Sequence, residues 1–148
     1  MPASKTLLAD ATDKKALSID QLNTIYDQLD TVCCEAMIGQ WRGMCFNTGH
    51  PGEQKLGAIG WAGKEFRSLN DVSPIMCADD AGKLSPSSIM GAASLRMVEF
   101  RGSTTATMVY DQHPIFDHFK RIDDDTVLGV MDAKGEALPL YFLLQRCK

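Results

Sequence analysis

The sequence lacks both a positively charged surface and a long apolar segment. It has 15 lysine and arginine residues against 19 aspartate and glutamate residues, a formal net charge of −4, and no run of basic residues. Nucleic-acid binding depends on clustered positive charge. A membrane span needs about 20 consecutive apolar residues, and a secretion signal needs a shorter apolar core. The sequence shows neither pattern. The composition therefore predicts a cytoplasmic protein whose partners include neither nucleic acid nor membrane.

Patterns typical of metal, disulfide and cofactor binding are also missing. The cysteines are odd in number, form no CxxC motif, and have no histidine at zinc-ligand spacing. The sequence contains no phosphate-binding loop and no dinucleotide fingerprint. We therefore expect reduced thiols, no metal site and no cofactor.

One amphipathic helix is the clearest local pattern in the chain. Ser18 and Gln21 form a capping-box pattern, in which each side chain bonds the backbone of the other residue. Apolar residues follow at helical spacing, with most of the acidic residues elsewhere on the helical wheel. The pattern predicts a helix over residues 18–38 that ends near Gly39.

Beyond this helix, short β-prone runs alternate with glycine, proline, asparagine and aspartate. The runs lie near residues 41–48, 58–68, 74–78, 93–102, 104–111, 115–122, 126–132 and 139–146. Their tight connections favour antiparallel pairing, and closing seven or eight such strands into a barrel removes the exposed edges. We therefore expect a mainly β fold in which residues 18–148 form a single domain, an antiparallel β-barrel with the helix at its start. Residues 1–17 are expected to be a loosely ordered lead-in.

The predicted helix runs into a GxWxG motif formed by Gly39, Trp41 and Gly43. A helical turn followed by G-x-W in the first strand resembles the calycin superfamily, which includes the lipocalins and the fatty-acid-binding proteins. The resemblance implies that Trp41 plugs the closed end of the barrel and packs against a basic residue of the last strand, a position that Arg146 matches. The residues themselves favour an architectural role, in which Gly39 ends the helix and Gly43 permits a bend in the strand.

The whole chain also resembles a bacterial family that is named for the GxWxG motif and has an uncharacterised C-terminal domain. The matching stretches are residues 49–51, 60–66, 98–102 and 110–119. The resemblance implies a shared fold for the chain and no particular activity.

Alternation along two predicted strands places one lysine and one aspartate inside the barrel. Lys64 shares a strand face with Phe66, and Asp117 is the single charge among the inward residues of a later strand. A buried lysine needs a partner, because an unpaired buried charge is very costly. Two alternatives stay open: Lys64 pairs with Asp117, or Lys64 binds a ligand carboxylate while Asp117 orients a donor or acts as a base.

Four further residues are candidates for contact with a ligand, and the first is Phe66, which is expected to point inward beside Lys64. Tyr110 and Met108 share a strand face that is expected to point into the barrel lumen. His50 lies in a loop of glycine and proline that is expected at the barrel mouth. Of the other histidines, His113 is expected in a solvated turn and His118 on the outward face.

These features support hypotheses from different functional classes. The first is a small-molecule binding protein that holds an apolar or amphipathic ligand in the barrel lumen. The alternative is an enzyme, an isomerase or hydrolase of a small metabolite, with Asp117 or a histidine as acid or base. A third hypothesis is a structural module that forms a homodimer through the helix face or a sheet edge.

Overall fold

The structure, a computed structural model, describes residues 2–148 of the chain, with side chains from residue 5 onward. The helices in this part are α1 (Pro2–Thr12), α2 (Ile19–Gln28), α3 (Pro51–Ala58) and a short 3-10 helix (Cys34–Met37). The strands are β1 (Asp30–Thr31), β2 (Gly39–Cys45), β3 (Trp61–Ser68), β4 (Asp71–Ala78), β5 (Leu84–Pro86), β6 (Ala93–Phe100), β7 (Ser103–Tyr110), β8 (Ile115–Asp123), β9 (Thr126–Ala133) and β10 (Leu140–Arg146).

The long strands form a closed antiparallel barrel. Their order around it is β8-β7-β6-β4-β3-β2-β10-β9, and the pairing of β9 with β8 closes the ring. The short strand β1 lies beside the later part of β8, and β5 lies beside the end of β4. The predicted mainly β fold with an antiparallel barrel is therefore confirmed.

The barrel strands are paired unevenly. β10 pairs with β2 over residues 142–146 and with β9 over almost all of its length. In contrast, the described pairing between β4 and β6 consists of Val72 with Ala93. The two strands therefore share a weak seam, which is continued by a backbone bond of 2.7 Å from the Leu95 N–H to the Leu69 carbonyl.

The core is divided into two clusters, one inside the barrel and one on its outer surface. The inner cluster includes the aromatic side chains of Trp41, Phe66, Phe119 and Phe142. The outer cluster joins the helices α1 and α2 to the outer faces of three strands, and it includes Leu7, Ala11, Leu22, Tyr26, Leu128, Val130 and Tyr141. One side of the barrel is therefore covered by helices and not by solvent.

The described part of the predicted lead-in is ordered, and the expectation for it is wrong. Helix α1 occupies Pro2–Thr12, and Leu7 and Ala11 are almost completely buried. These two residues are four positions apart and so share one helix face, which packs on the barrel. Residue 1 lies outside the described residues.

The predicted helix over residues 18–38 begins correctly but is too long. The capping box forms, and α2 then ends at Gln28 and not near Gly39. Leu22 belongs to the outer cluster, whereas Met37 belongs to the inner cluster. The helical spacing of apolar residues continues after Gln28, but one straight helix would not bury both Leu22 and Met37. The helix ends because the chain has to cross from the outer surface of the barrel to its closed end.

Two other differences concern short elements between the strands. Helix α3 occupies residues expected as a loop and the start of a strand, so β3 begins at Trp61. Strand β5 forms in the long interval between the strands predicted near residues 74–78 and 93–102. Gly39 begins β2 with φ of +133° and does not end a helix.

Candidate functional site

One end of the barrel is closed by a tryptophan and an arginine. The Trp41 indole is almost fully buried, and its N–H donates to the Met37 carbonyl at 2.9 Å. The Arg146 guanidinium lies 4.3 Å from the indole ring and donates to the carbonyls of Ala36 at 2.8 Å and Ile38 at 3.1 Å. Arg146 therefore packs on Trp41, as the calycin resemblance implies, and also satisfies carbonyls around the 3-10 helix.

Two glycines, one in β2 and one in β3, permit close contacts with the two tryptophans. A side chain at Gly43 would overlap the ring of Trp61, and one at Gly63 would overlap the backbone carbonyl of Trp41. The second glycine of the GxWxG motif therefore permits close packing of Trp61. This contact is a more specific reason for Gly43 than the expected bend in the strand.

Lys64 and Asp117 form a buried ion pair inside the barrel, the first of the two alternatives. The Lys64 Nζ lies 3.1 Å from the Asp117 Oδ2, and each side chain is only 3% exposed. Nζ also donates to the Pro74 carbonyl at 3.1 Å. Burial raises the pKa of the Asp117 carboxyl, and the adjacent Lys64 opposes this rise.

The second carboxylate oxygen of this pair differs from the first. Asp117 Oδ1 is buried and has no hydrogen-bond partner among the described residues. A buried acceptor without a partner loses its hydration and gains nothing in return. The pair therefore has one satisfied and one unsatisfied oxygen.

Aromatic rings surround the lysine. The Lys64 Nζ lies 5.2 Å from the ring centre of Phe142, 5.4 Å from that of Trp61 and 5.9 Å from that of Tyr110. Such contacts stabilise an ammonium that has little access to water. Burial and the Asp117 charge raise the pKa of Tyr110 well above its usual value, so its hydroxyl keeps its proton.

A cavity of about 620 Å³ lies at the other end of the barrel. β2 runs from Trp41 towards α3, and α3 forms one wall of this cavity. The lining is mainly apolar and consists of His50, Pro51, Gly52, Lys55, Leu56, Ile59, Ile89, Met90, Ile115, Met131, Glu136, Ala137, Leu138 and Leu140. Ile89 and Leu138 are more than half exposed, so the cavity reaches the surface.

His50 connects α3 to the loop between β9 and β10 at this mouth. Its Nδ1 accepts from the Gly52 N–H at 2.9 Å and so caps the helix. Its Nε2 lies 3.2 Å from the Leu138 carbonyl and 3.3 Å from a Glu136 carboxylate oxygen. Because Nδ1 is an acceptor here, Nε2 carries the hydrogen and donates it to the loop.

The strand register places the ion pair at the inner end of the cavity. Asp117 lies opposite Met131 on β9, and Met131 lies opposite Leu140 on β10. Both neighbours line the cavity, as does Ile115, which precedes Asp117 by two residues on the same strand face. Asp117 therefore lies next to three lining residues, and neither it nor Lys64 is part of the lining itself.

The residues predicted for the site are partly brought together. Lys64, Tyr110 and Asp117 are close neighbours, and Met108 lies opposite Asp117 on β7. Phe66 lies elsewhere in the inner core, with its ring centre 5.7 Å from that of Phe119. His50 is at the cavity mouth with Glu136, and no described bond joins it to the ion pair.

Sequence reasoning missed most of the cavity wall. Leu56 comes from α3, Met90 from the segment before β6, and Leu138 from the loop before β10. The sequence did contain one signal for helix α3. Proline is common at the first position of a helix, and Pro51 directly follows the capping residue His50.

His118 is buried and does not face solvent as expected. Its ring stacks on Phe100 at 3.9 Å, and its nitrogens contact the Thr107 hydroxyl at 2.9 Å and the Asp132 carboxylate at 3.3 Å. The strand face was assigned correctly, but Phe100 covers His118, and Tyr26 of α2 covers Lys120 on the same face. Burial lowers the pKa of His118, and Asp132 opposes this shift.

Three features of the described part of the chain bear on its chemistry. Residues that could hold a metal ion form no group of three or more there. No helix in that part is long and apolar enough to cross a membrane. The cysteines in it all carry free thiols.

The fold and the cavity define a closed antiparallel β-barrel with a sealed end and an apolar mouth. Residues 24–82 match the model of the GXWXG protein family, and residues 91–146 match that of a domain of unknown function, DUF4334. The chain therefore belongs to the GXWXG family with this C-terminal domain. It is similar to a protein from Thermomonospora curvata, known from a crystal structure, with 36% sequence identity, full coverage of both chains and a TM-score of 0.90. No curated protein matches the chain.

Proposed function

We propose that the protein binds a small apolar or amphipathic molecule in the cavity at the barrel mouth. The observation that carries this proposal is the cavity itself, with a volume of about 620 Å³ and a mainly apolar lining. Cavities of about 300–1,000 Å³ with apolar walls and a few polar groups are typical of small-molecule sites. His50 and Glu136 supply polar groups at the mouth, and Lys64, Asp117 and Tyr110 lie directly behind the lining at its inner end.

A cavity-filling substitution tests the proposal. Leu56→Trp places a large ring in the cavity wall, and Leu69→Trp places the same ring in the exposed turn between β3 and β4. We expect an environment-sensitive apolar dye to bind the wild type and the Leu69→Trp variant, and to bind Leu56→Trp much more weakly. Equal binding by all three proteins would contradict the proposal. Native mass spectrometry of freshly purified protein would identify a molecule that co-purifies.

An enzyme that acts on a small metabolite is the second candidate function. The observation that favours it is the unpartnered Asp117 Oδ1 beside Lys64, because a buried carboxylate of raised pKa is suited to proton transfer. Incubation of the wild type and Asp117→Asn with a pool of small metabolites, followed by mass spectrometry, tests this role. A compound that is converted by the wild type and not by the variant would support catalysis, and the absence of any such compound would count against it.

A further inference from the structure

We propose that the molecule held in the cavity has an apolar body and an uncharged hydrogen-bond donor, a hydroxyl or an N–H, at its inner end. The Oδ1 of Asp117 would accept this hydrogen bond. The inference rests on the proposed function of the cavity and adds the chemical class of the ligand. Three features of the ion pair support this inference: its charge, the hydrogen bonds it lacks, and its distance from the cavity.

The charge of the ion pair favours a neutral group. The Lys64 Nζ and the Asp117 Oδ2 lie 3.1 Å apart, so their charges neutralise each other. Each of the two side chains is only 3% exposed to solvent. A ligand carboxylate at this point would add a second negative charge beside Asp117 in a region of low polarity. A ligand ammonium would add a second positive charge beside Lys64. Either arrangement leaves one buried charge without a counter-charge, which is costly.

The hydrogen bonds of the pair favour a donor and not an acceptor. The Lys64 ammonium already donates to Asp117 and to the Pro74 carbonyl, and three aromatic rings surround it. Asp117 Oδ1 has no partner among the described residues, and an ionised carboxylate oxygen only accepts hydrogen bonds. The group that completes the site is therefore a donor.

The pair lies within reach of a molecule in the cavity. Ile115 lines the cavity and precedes Asp117 by two strand positions, a distance of about 7 Å along the backbone. Met131 lies directly across from Asp117, and Met90 is also part of the wall. Methionine side chains are flexible, so a small rearrangement of their thioethers gives a ligand access to Oδ1.

Three probes of matched size test the inference by isothermal titration calorimetry. They are 1-octanol, its isomer heptyl methyl ether, which lacks the donor, and octanoate, which carries a negative charge. We expect 1-octanol to bind at least about tenfold more tightly than either of the others, because a hydrogen bond to a charged group is stronger than one between neutral groups.

The matched variant is the double substitution Lys64→Met with Asp117→Leu. It removes both charges at once, so no unpaired charge remains, and it leaves the cavity wall intact. We expect it to bind the alcohol and the ether equally well. The control Lys83→Met removes an exposed cation that does not line the cavity, and it should keep the wild-type preference for the alcohol.

The outcomes separate this inference from the proposed function. Equal binding of alcohol and ether by the wild type would overturn the inference and would indicate that water is the partner of Oδ1. The proposed function would still hold, because both probes would bind in the cavity. Tightest binding of octanoate would also overturn it, in favour of a lysine that receives an anion. If none of the probes binds at millimolar concentration, the proposed function fails as well.

Discussion

The two ends of the barrel bury their tryptophans to different extents. At the closed end, Trp41 is 1% exposed, donates its N–H to a carbonyl and is covered by Arg146. Towards the mouth, Trp61 also donates its N–H to a carbonyl, that of Pro74 at 3.3 Å, but it is only half-buried and packs edge-on against Phe142, with ring centres 5.6 Å apart. The closed end is held by complete burial and backbone hydrogen bonds, whereas the mouth keeps space and exposed apolar side chains. We infer that stability is concentrated at the first end and ligand binding at the second.

The largest expected effect compares the two tryptophans directly. Trp41→Ala should lower the free energy of unfolding by about 4–5 kcal/mol, because it removes a fully packed ring and a satisfied N–H. Trp61→Ala should lower it by about 1–3 kcal/mol, because part of that ring is already exposed. Urea denaturation of both variants measures the difference. Equal losses would contradict the contrast between the ends.

The next prediction concerns the ion pair that lies between the ends. Lys64→Met alone leaves Asp117 buried without a counter-charge, and we expect a loss of about 3–4 kcal/mol in the free energy of unfolding. The double variant Lys64→Met with Asp117→Leu should lie within about 1 kcal/mol of the wild type, because it leaves no charge unpaired. If the double variant were as unstable as the single one, the pair would contribute stability of its own.

A smaller effect on stability is expected at the mouth. His50→Ala removes the cap of α3 and the bonds to the β9–β10 loop, and it should lower the free energy of unfolding by about 1–2 kcal/mol. His50→Asn keeps the cap and loses the bonds to the loop, so it should recover about half of that loss. Apolar-dye binding should be weakened in both variants, since the loop is released in both. Unchanged dye binding would show that the loop does not define the cavity.

The smallest expected effect is a pH dependence on the outer face of the barrel, away from both ends. Burial lowers the pKa of His118 below the value of about 6.5 that it has in an unfolded chain. The unfolded state then binds more protons than the folded state, so stability is full above about pH 6.5 and falls as pH falls through the folded pKa. Thermal unfolding of the wild type and of His118→Gln between neutral and acidic pH measures this contribution. The variant should lose less stability on acidification, and parallel curves would contradict the assignment.

Much of the barrel was predictable because strand periodicity is local. Alternation along β3 and β8 was enough to place Lys64 and Asp117 inside the barrel, and the structure forms their ion pair. The capping box located the start of α2 for the same reason. These features depend on neighbouring residues, which the sequence displays directly.

The features that were missed depend on what covers an element. The end of α2 is set by the division between outer and inner clusters. The burial of His118 is set by the ring of Phe100, which comes from the end of β6 and stacks on it. The cavity wall combines α3 with two loops, whose positions follow from the closure of the barrel. Local patterns contain no information about such long-range packing.

The seam between β4 and β6 has a consequence for how the molecule can move. The segment that matches the GXWXG family, residues 24–82, supplies β2, β3 and β4, and residues 91–146 supply β6 to β10. These two sets of strands join firmly where β2 meets β10, but loosely at Val72 and Ala93. Separation at the loose edge would widen the barrel while every other ladder stays intact. Among the barrel strands, amide hydrogen exchange should therefore be fastest along the facing edges of β4 and β6, because opening the barrel there breaks the fewest backbone hydrogen bonds.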